Sequence, residues 1–156
     1  MNHTDNSINL NRQFATFFVK DLYFGIEVQK VQEVLRAQEM TRVPLAPGVL
    51  RGLINLRGQI VAAIDMRQRL ALAPRLVDQG VDHEPMNMIV RAEDGAVSLL
   101  VDEIGDVIHV AAESYEPVPE TMAPNLKQLV EGVYKLEGRL LLVLDTERTL
   151  QLQPSL

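Results

Sequence analysis

The chain of 156 residues has no cysteine, no tryptophan and only 4% aromatic residues. Without cysteine it can build neither a disulfide framework nor a thiolate metal site, which fits a reducing compartment. The three histidines, His3, His83 and His109, are scattered without ligand spacing. No metal site and no cofactor is therefore expected. The scarcity of aromatics leaves no base-stacking platform of the single-strand-binding kind. Excess positive charge is missing too: the net charge is −6, whereas nucleic-acid binding draws most of its affinity from a dense basic patch, so nucleic acid is not an expected partner. Long apolar runs are absent. Ile60 to Ile64 and Leu140 to Leu144 fall far short of the ~20 residues of a membrane span, and no direct membrane insertion is expected. The opening Met1 to Ser7 is neither basic nor apolar, so no signal peptide is expected and the cytoplasm is the expected location. Ser7, Ser98, Ser114 and Ser155 lie outside any Gly-x-Ser-x-Gly turn, and neither phosphate-cradling glycine loop occurs. These absences predict a binding module with no catalytic residues rather than an enzyme.

What is present is a β pattern that occurs twice. With 47% hydrophobic and 23% charged residues, the chain can bury a core and stay in solution as one domain or two small subdomains. Residues 1–12 are polar and aperiodic, and read as a loose tail. Leu22, Phe24, Ile26 and Val28 then alternate with Tyr23, Gly25 and Glu27, which predicts a half-buried strand after a turn at Asp21. Gly58 separates two further runs and predicts a hairpin with a positive φ. Residues 73–85 hold prolines, a glycine and several charges, and read as a linker.

Arg51 to Asp65 lies over Glu131 to Asp145, with Gly52 on Gly132, Gly58 on Gly138, Asp65 on Asp145 and Leu70 on Leu150. Ile26 to Val34 lies over Leu99 to Val107 in the same order. The expected architecture is mainly β, with two related subdomains at about 13–72 and 86–152, each of about five strands plus short helices, packed against each other within a single domain over 13–152.

Asp65 and Asp145 each follow an apolar strand and precede a short helix-compatible segment. Paired carboxylates can perform acid–base chemistry, but an aspartate in this position is expected to cap the helix amides. Where the copies differ at exposed turns, the fold leaves residues free for other roles. Asn55 and Arg57 face Lys135 and Glu137, an inversion of charge; on spacing alone Arg57 is a solvated turn residue. Glu33 and Asp106 are acidic in both copies, which favours a structural role. Met40 to Gly48, with two prolines, has no close counterpart and reads as a rigid surface loop.

Thr41 to Pro44, Pro47, Gly52 to Gly58 (which includes Asn-Leu-Arg-Gly) and Ile64 to Arg67 together resemble the signature of CheW-like domains. Lys30 to Val34 and Val101 to Val107 match the same family, and the resemblance runs from about Phe14 to Leu152. It implies two SH3-like five-stranded barrels around a shared core. It also implies a non-enzymatic adaptor, cytoplasmic and recruited to receptor arrays, that couples methyl-accepting chemoreceptors to the regulatory domain of the histidine kinase CheA. By family position Val31, Glu33, Asn55 and Arg57 match residues of partner contact, and Met40, Arg51 and Gly52 extend that surface. The few residues after Leu152 leave no room for a kinase or receiver domain, so a stand-alone adaptor is expected. An adaptor of another chemosensory pathway (twitching or development) fits the sequence equally. A small-ligand-binding or enzymatic β-barrel is the alternative from a different class.

Overall fold

The alternating segments form strands in a computed structural model that describes residues 11–73 and 84–151. Most of the expected tail (residues 1–10) and of the expected linker (residues 74–83) lies outside the described residues. Asn11 and Arg12, assigned to the tail by sequence, instead open the first strand. Arg12 reaches Glu27 at 2.9 Å and donates to the Tyr134 hydroxyl at 3.2 Å, and its backbone pairs with Val110. These tertiary contacts hold residues whose local pattern is uninformative.

The strands are β1 (Asn11–Val19), β2 (Leu22–Glu27), β3 (Val31–Leu35), β4 (Leu50–Leu56), β5 (Gln59–Asp65), β6 (Met86–Ala92), β7 (Gly95–Val101), β8 (Glu103–Ala111), β9 (Tyr115–Glu116), β10 (Val130–Leu136) and β11 (Arg139–Leu144). Three single-turn helices follow or separate them: α1 (Met66–Arg69), α2 (Pro124–Lys127) and α3 (Thr146–Thr149). The protein is mainly β. One sheet runs β8-β1-β2-β11-β10-β9 and the other β3-β6-β7-β5-β4.

The pairing registers repeat as the sequence does. Phe17 faces Phe24 in the first hairpin, and Val90 faces Val97 in the equivalent one. Phe24 pairs in parallel with Leu142, and Val97 pairs in parallel with Ala62. The sheets nevertheless do not coincide with the sequence halves. Each half gives its first hairpin, β1–β2 or β6–β7, to the sheet completed by the later strands of the other half. The chain changes sheets at Val28–Lys30 and again at Asp102.

This exchange explains why β2 is buried on both faces, where its alternation predicted one wet face. Phe24 and Ile26 join Phe17, Met88, Val90 and Leu99 in a core shared by the two sheets. Tyr23, on the other face, packs with Phe14, Tyr134 and Leu141 inside the six-stranded sheet. Each large apolar side chain removed from water contributes roughly 1.5–3 kcal/mol, so the shared core makes the two sheets one cooperative body.

The two aspartates cap their helices as the sequence predicted. Asp65 accepts from the Arg67 and Gln68 amides at 3.0 and 3.3 Å, and Asp145 accepts from the Arg148 amide at 3.1 Å. Their own amides donate to Val49 and Leu129, which are equivalent positions. Asp65→Ala is expected to lower stability by about 1 kcal/mol, read as a fall of about 2–4 °C in Tm by calorimetry. Unchanged stability together with lost partner binding would remove the capping role. The Met40 to Gly48 segment does have a spatial counterpart. Thr41 exchanges two backbone hydrogen bonds of 2.8 Å with Leu53 of β4, and β9 pairs with Val133 and Tyr134 of β10. Connections of different length hide the equivalence in the sequence.

Candidate partner-binding face

All seven residues singled out by sequence lie on or beside the five-stranded sheet. In β4, Arg51, Leu53 and Asn55 point to one face while Gly52, Ile54 and Leu56 are buried on the other. The β4–β5 hairpin closes in two residues, with Leu56 opposite Gln59. Arg57 and Gly58 both have positive φ, 52° and 88°, as the right-handed twist of a tight hairpin favours. An arginine held there costs about 1 kcal/mol. Asn55 offsets part of this by accepting the Gly58 amide at 2.9 Å.

The Arg57 guanidinium forms an ion pair with Glu33. β3 and β4 are the two edges of their sheet, so the pair joins residues that only a strongly curled sheet can bring together. Leu35, Leu56, Val61 and Ile89 meet beneath it in one apolar cluster. The hydrogen bond from Arg57 holds the Glu33 carboxyl below its usual range; partial burial opposes this and the Arg57 charge reinforces it. At the equivalent positions of the six-stranded sheet stand Glu137 and Asp106, two like charges.

The structure thus brings Glu33, Asn55 and Arg57 together at one end of the sheet. Val31 is half-buried against the shared core. Arg51 is engaged with Asp65 at 2.6 Å. Gly52 is buried where a Cβ would stand 2.9 Å from the Thr41 carbonyl oxygen and 3.0 Å from Met40 Cβ. Its lack of a side chain is a packing requirement. Met40 itself lies against Ile54, Ala63 and Leu100.

Two exposed apolar residues beside this end escaped the sequence reading: Val34 on β3 and Ile60 on β5. Their equivalents, Val107 and Leu140, are exposed as well. Strand alternation assigns such residues to a core; the signal that finds them is that both copies keep an apolar residue at both positions. Among the described residues no helix is long and apolar enough to cross a membrane, and no group of three or more histidine, aspartate or glutamate residues is placed to hold a metal ion.

Residues 13–153 match the family model of the CheW-like domain. The chain is 31% identical over 148 residues to the chemotaxis protein CheW of Bacillus subtilis, covering 95% of this chain and 92% of the relative. It is 30% identical over 143 residues to that of Klebsiella aerogenes, covering 90% and 82%. The crystal structure of the scaffolding protein TtCheW from Thermoanaerobacter tengcongensis superposes with a TM-score of 0.77 at 25% identity, covering 87% of this chain and 90% of that one.

Proposed function

Because the chain belongs to the family of CheW-like domains, we propose that it is a non-enzymatic adaptor coupling methyl-accepting chemoreceptors to the histidine kinase CheA. The observation that carries this reading is the private end of the five-stranded sheet. There Arg57 is held in a strained backbone conformation and oriented by Glu33, where the sister sheet has Glu137 and Asp106. A fold that needed only a hairpin would not need this arginine. Its planar fork can bind a partner carboxylate in two places, and the exposed Val34 and Ile60 beside it offer apolar anchors. The proposed partner surface comprises Val31, Glu33, Arg51, Asn55 and Arg57, with Met40 and Gly52 supporting it from below. A reversible adaptor of this kind works with a modest interface multiplied by avidity in a cytoplasmic receptor array.

Isothermal titration against the regulatory domain of a CheA kinase from the same organism tests the reading. Saturable one-to-one binding is expected. If no such kinase domain binds, the coupling role is removed while the family assignment stands.

A further inference from the structure

We propose, on the basis of the adaptor reading, that Asn87, Ser98 and Arg91 are positioning residues for the partner-binding face. From the neighbouring strands they fix β3 so that Glu33 meets Arg57. β3 carries Val31 and Glu33, and it needs such support. It is a five-residue strand at the edge of its sheet, and its register with β6 shifts between Val31 and Glu33. The ladder alone specifies a short, irregular edge strand weakly, yet Arg57 must reach it from the opposite edge of the sheet.

Side chains from β6 hold β3 at both ends. At one end Arg91 Nη1 donates to the Gln29 and Val31 carbonyls at 2.9 and 3.2 Å. At the other the Asn87 side-chain amide donates to the Arg36 carbonyl at 3.0 Å, just past the last residue of β3. Ser98 of β7 donates its hydroxyl to Asn87 Oδ1 at 2.8 Å, which turns the donor end of that amide toward Arg36. Asn87 and Ser98 are both 0% exposed, and their cross-strand neighbours Leu100, Ile89 and Ala63 are buried and apolar. An amide in such surroundings keeps its partners firmly, because no water replaces them. The sister sheet does without this pair. Phe14 and Gly25 stand at the equivalent register positions, and Phe14 packs its ring against Tyr134. The fold therefore closes there with apolar filling, and the buried polar pair belongs to the sheet that carries Glu33 and Arg57.

Asn87→Leu with Ser98→Ala tests this, because replacing both partners of a buried hydrogen bond by apolar groups of similar shape leaves stability nearly unchanged. Tm is expected to stay within about 4 °C of wild type. The Glu33 carboxyl, followed by carbon NMR across the acid range, should titrate closer to the ordinary carboxylate value as its bond from Arg57 weakens. Binding to the CheA regulatory domain should weaken about tenfold. In an Arg57→Glu background the same double substitution should weaken binding by less than about twofold, since the pair it positions is gone. Arg91→Gln, at an exposed site, should move the Glu33 titration in the same direction, and it carries the test should the buried change lower Tm further. A Glu33 titration unmoved in both variants overturns the proposal, as does a binding loss that persists in full in the Arg57→Glu background. The titration needs no partner, so it decides the positioning even where no kinase domain binds and the adaptor reading falls.

Discussion

Arg57→Glu is expected to weaken partner binding about 10- to 100-fold while lowering Tm by less than about 4 °C. The small stability effect follows from exposure. The Arg57 side chain is 66% exposed, and ion pairs of that kind contribute between about 0 and 1 kcal/mol. The positive φ at Arg57 is a backbone strain that a glutamate placed there would bear at similar cost, although Glu137 in the matching two-residue turn is not among the residues with positive φ. The binding effect is large for the opposite reason. Reversal replaces a forked donor by an acceptor and sets a second carboxylate beside Glu33, so a docking partner meets repulsion where it met complementarity. Isothermal titration and calorimetry on the same preparation separate the two effects.

The same variant has a pH signature. Arg57 holds the folded-state Glu33 carboxyl below its usual range. The stability this contributes is fully present above the unfolded value of about 4.3 and is lost as pH falls through the depressed folded value. The difference in Tm between wild type and Arg57→Glu should therefore be greatest near neutrality and shrink below about pH 4. A fall of clearly more than 4 °C at neutral pH, with binding unchanged, would make Arg57 a clasp between the two sheet edges and not a contact residue.

What could be read from the sequence was local. The Gly58 hairpin, the Asp65 and Asp145 caps and the paired order of strands depend on turn chemistry, capping and period-two patterning, each written within a few residues. The exchange of hairpins between the sheets was not legible. Nothing in Phe24 or Leu142 states that they will pair in parallel across the repeat boundary, because apolar strand composition encodes burial and not the identity of the neighbour. For the same reason β2 looked half-buried. Of the candidate site, Arg57 and Asn55 stood out because their copies differ. That Glu33 would orient Arg57 depends on the curl of a sheet joining residues 24 positions apart, which spacing cannot convey. Gly52 entered the candidate surface by family position, and only the approach of Thr41 and Met40 gives it a packing reason.

Asp102→Ala is expected to lower stability by about 2–3 kcal/mol, a fall of about 4 to 12 °C in Tm. Asp102 lies between β7 and β8, where the chain leaves one sheet for the other. Its carboxylate accepts from Arg67 Nε at 3.0 Å, Arg67 Nη2 at 2.7 Å and the Lys20 amide at 2.6 Å, while its own amide donates to the Phe18 carbonyl at 2.9 Å. One residue thus ties the β1–β2 turn of the six-stranded sheet to α1 beside the five-stranded sheet. The two side chains are only 20% and 12% exposed. Removing the carboxylate leaves a largely buried guanidinium and the Lys20 amide without this acceptor. Breaking a fully buried pair costs 3–5 kcal/mol, and the residual exposure lowers that figure. The equivalent positions in the other repeat hold Gln29 and Glu147, so the joint is one-sided and has no twin to compensate. Asp102→Asn keeps an acceptor for Lys20 and should lose less than alanine does. Adding Arg67→Ala to Asp102→Ala should cost much less than the sum of the two, with at least about 1 kcal/mol of coupling in a double-mutant cycle. A Tm change under about 2 °C for Asp102→Ala would mean that the shared apolar core alone sets how the two sheets meet.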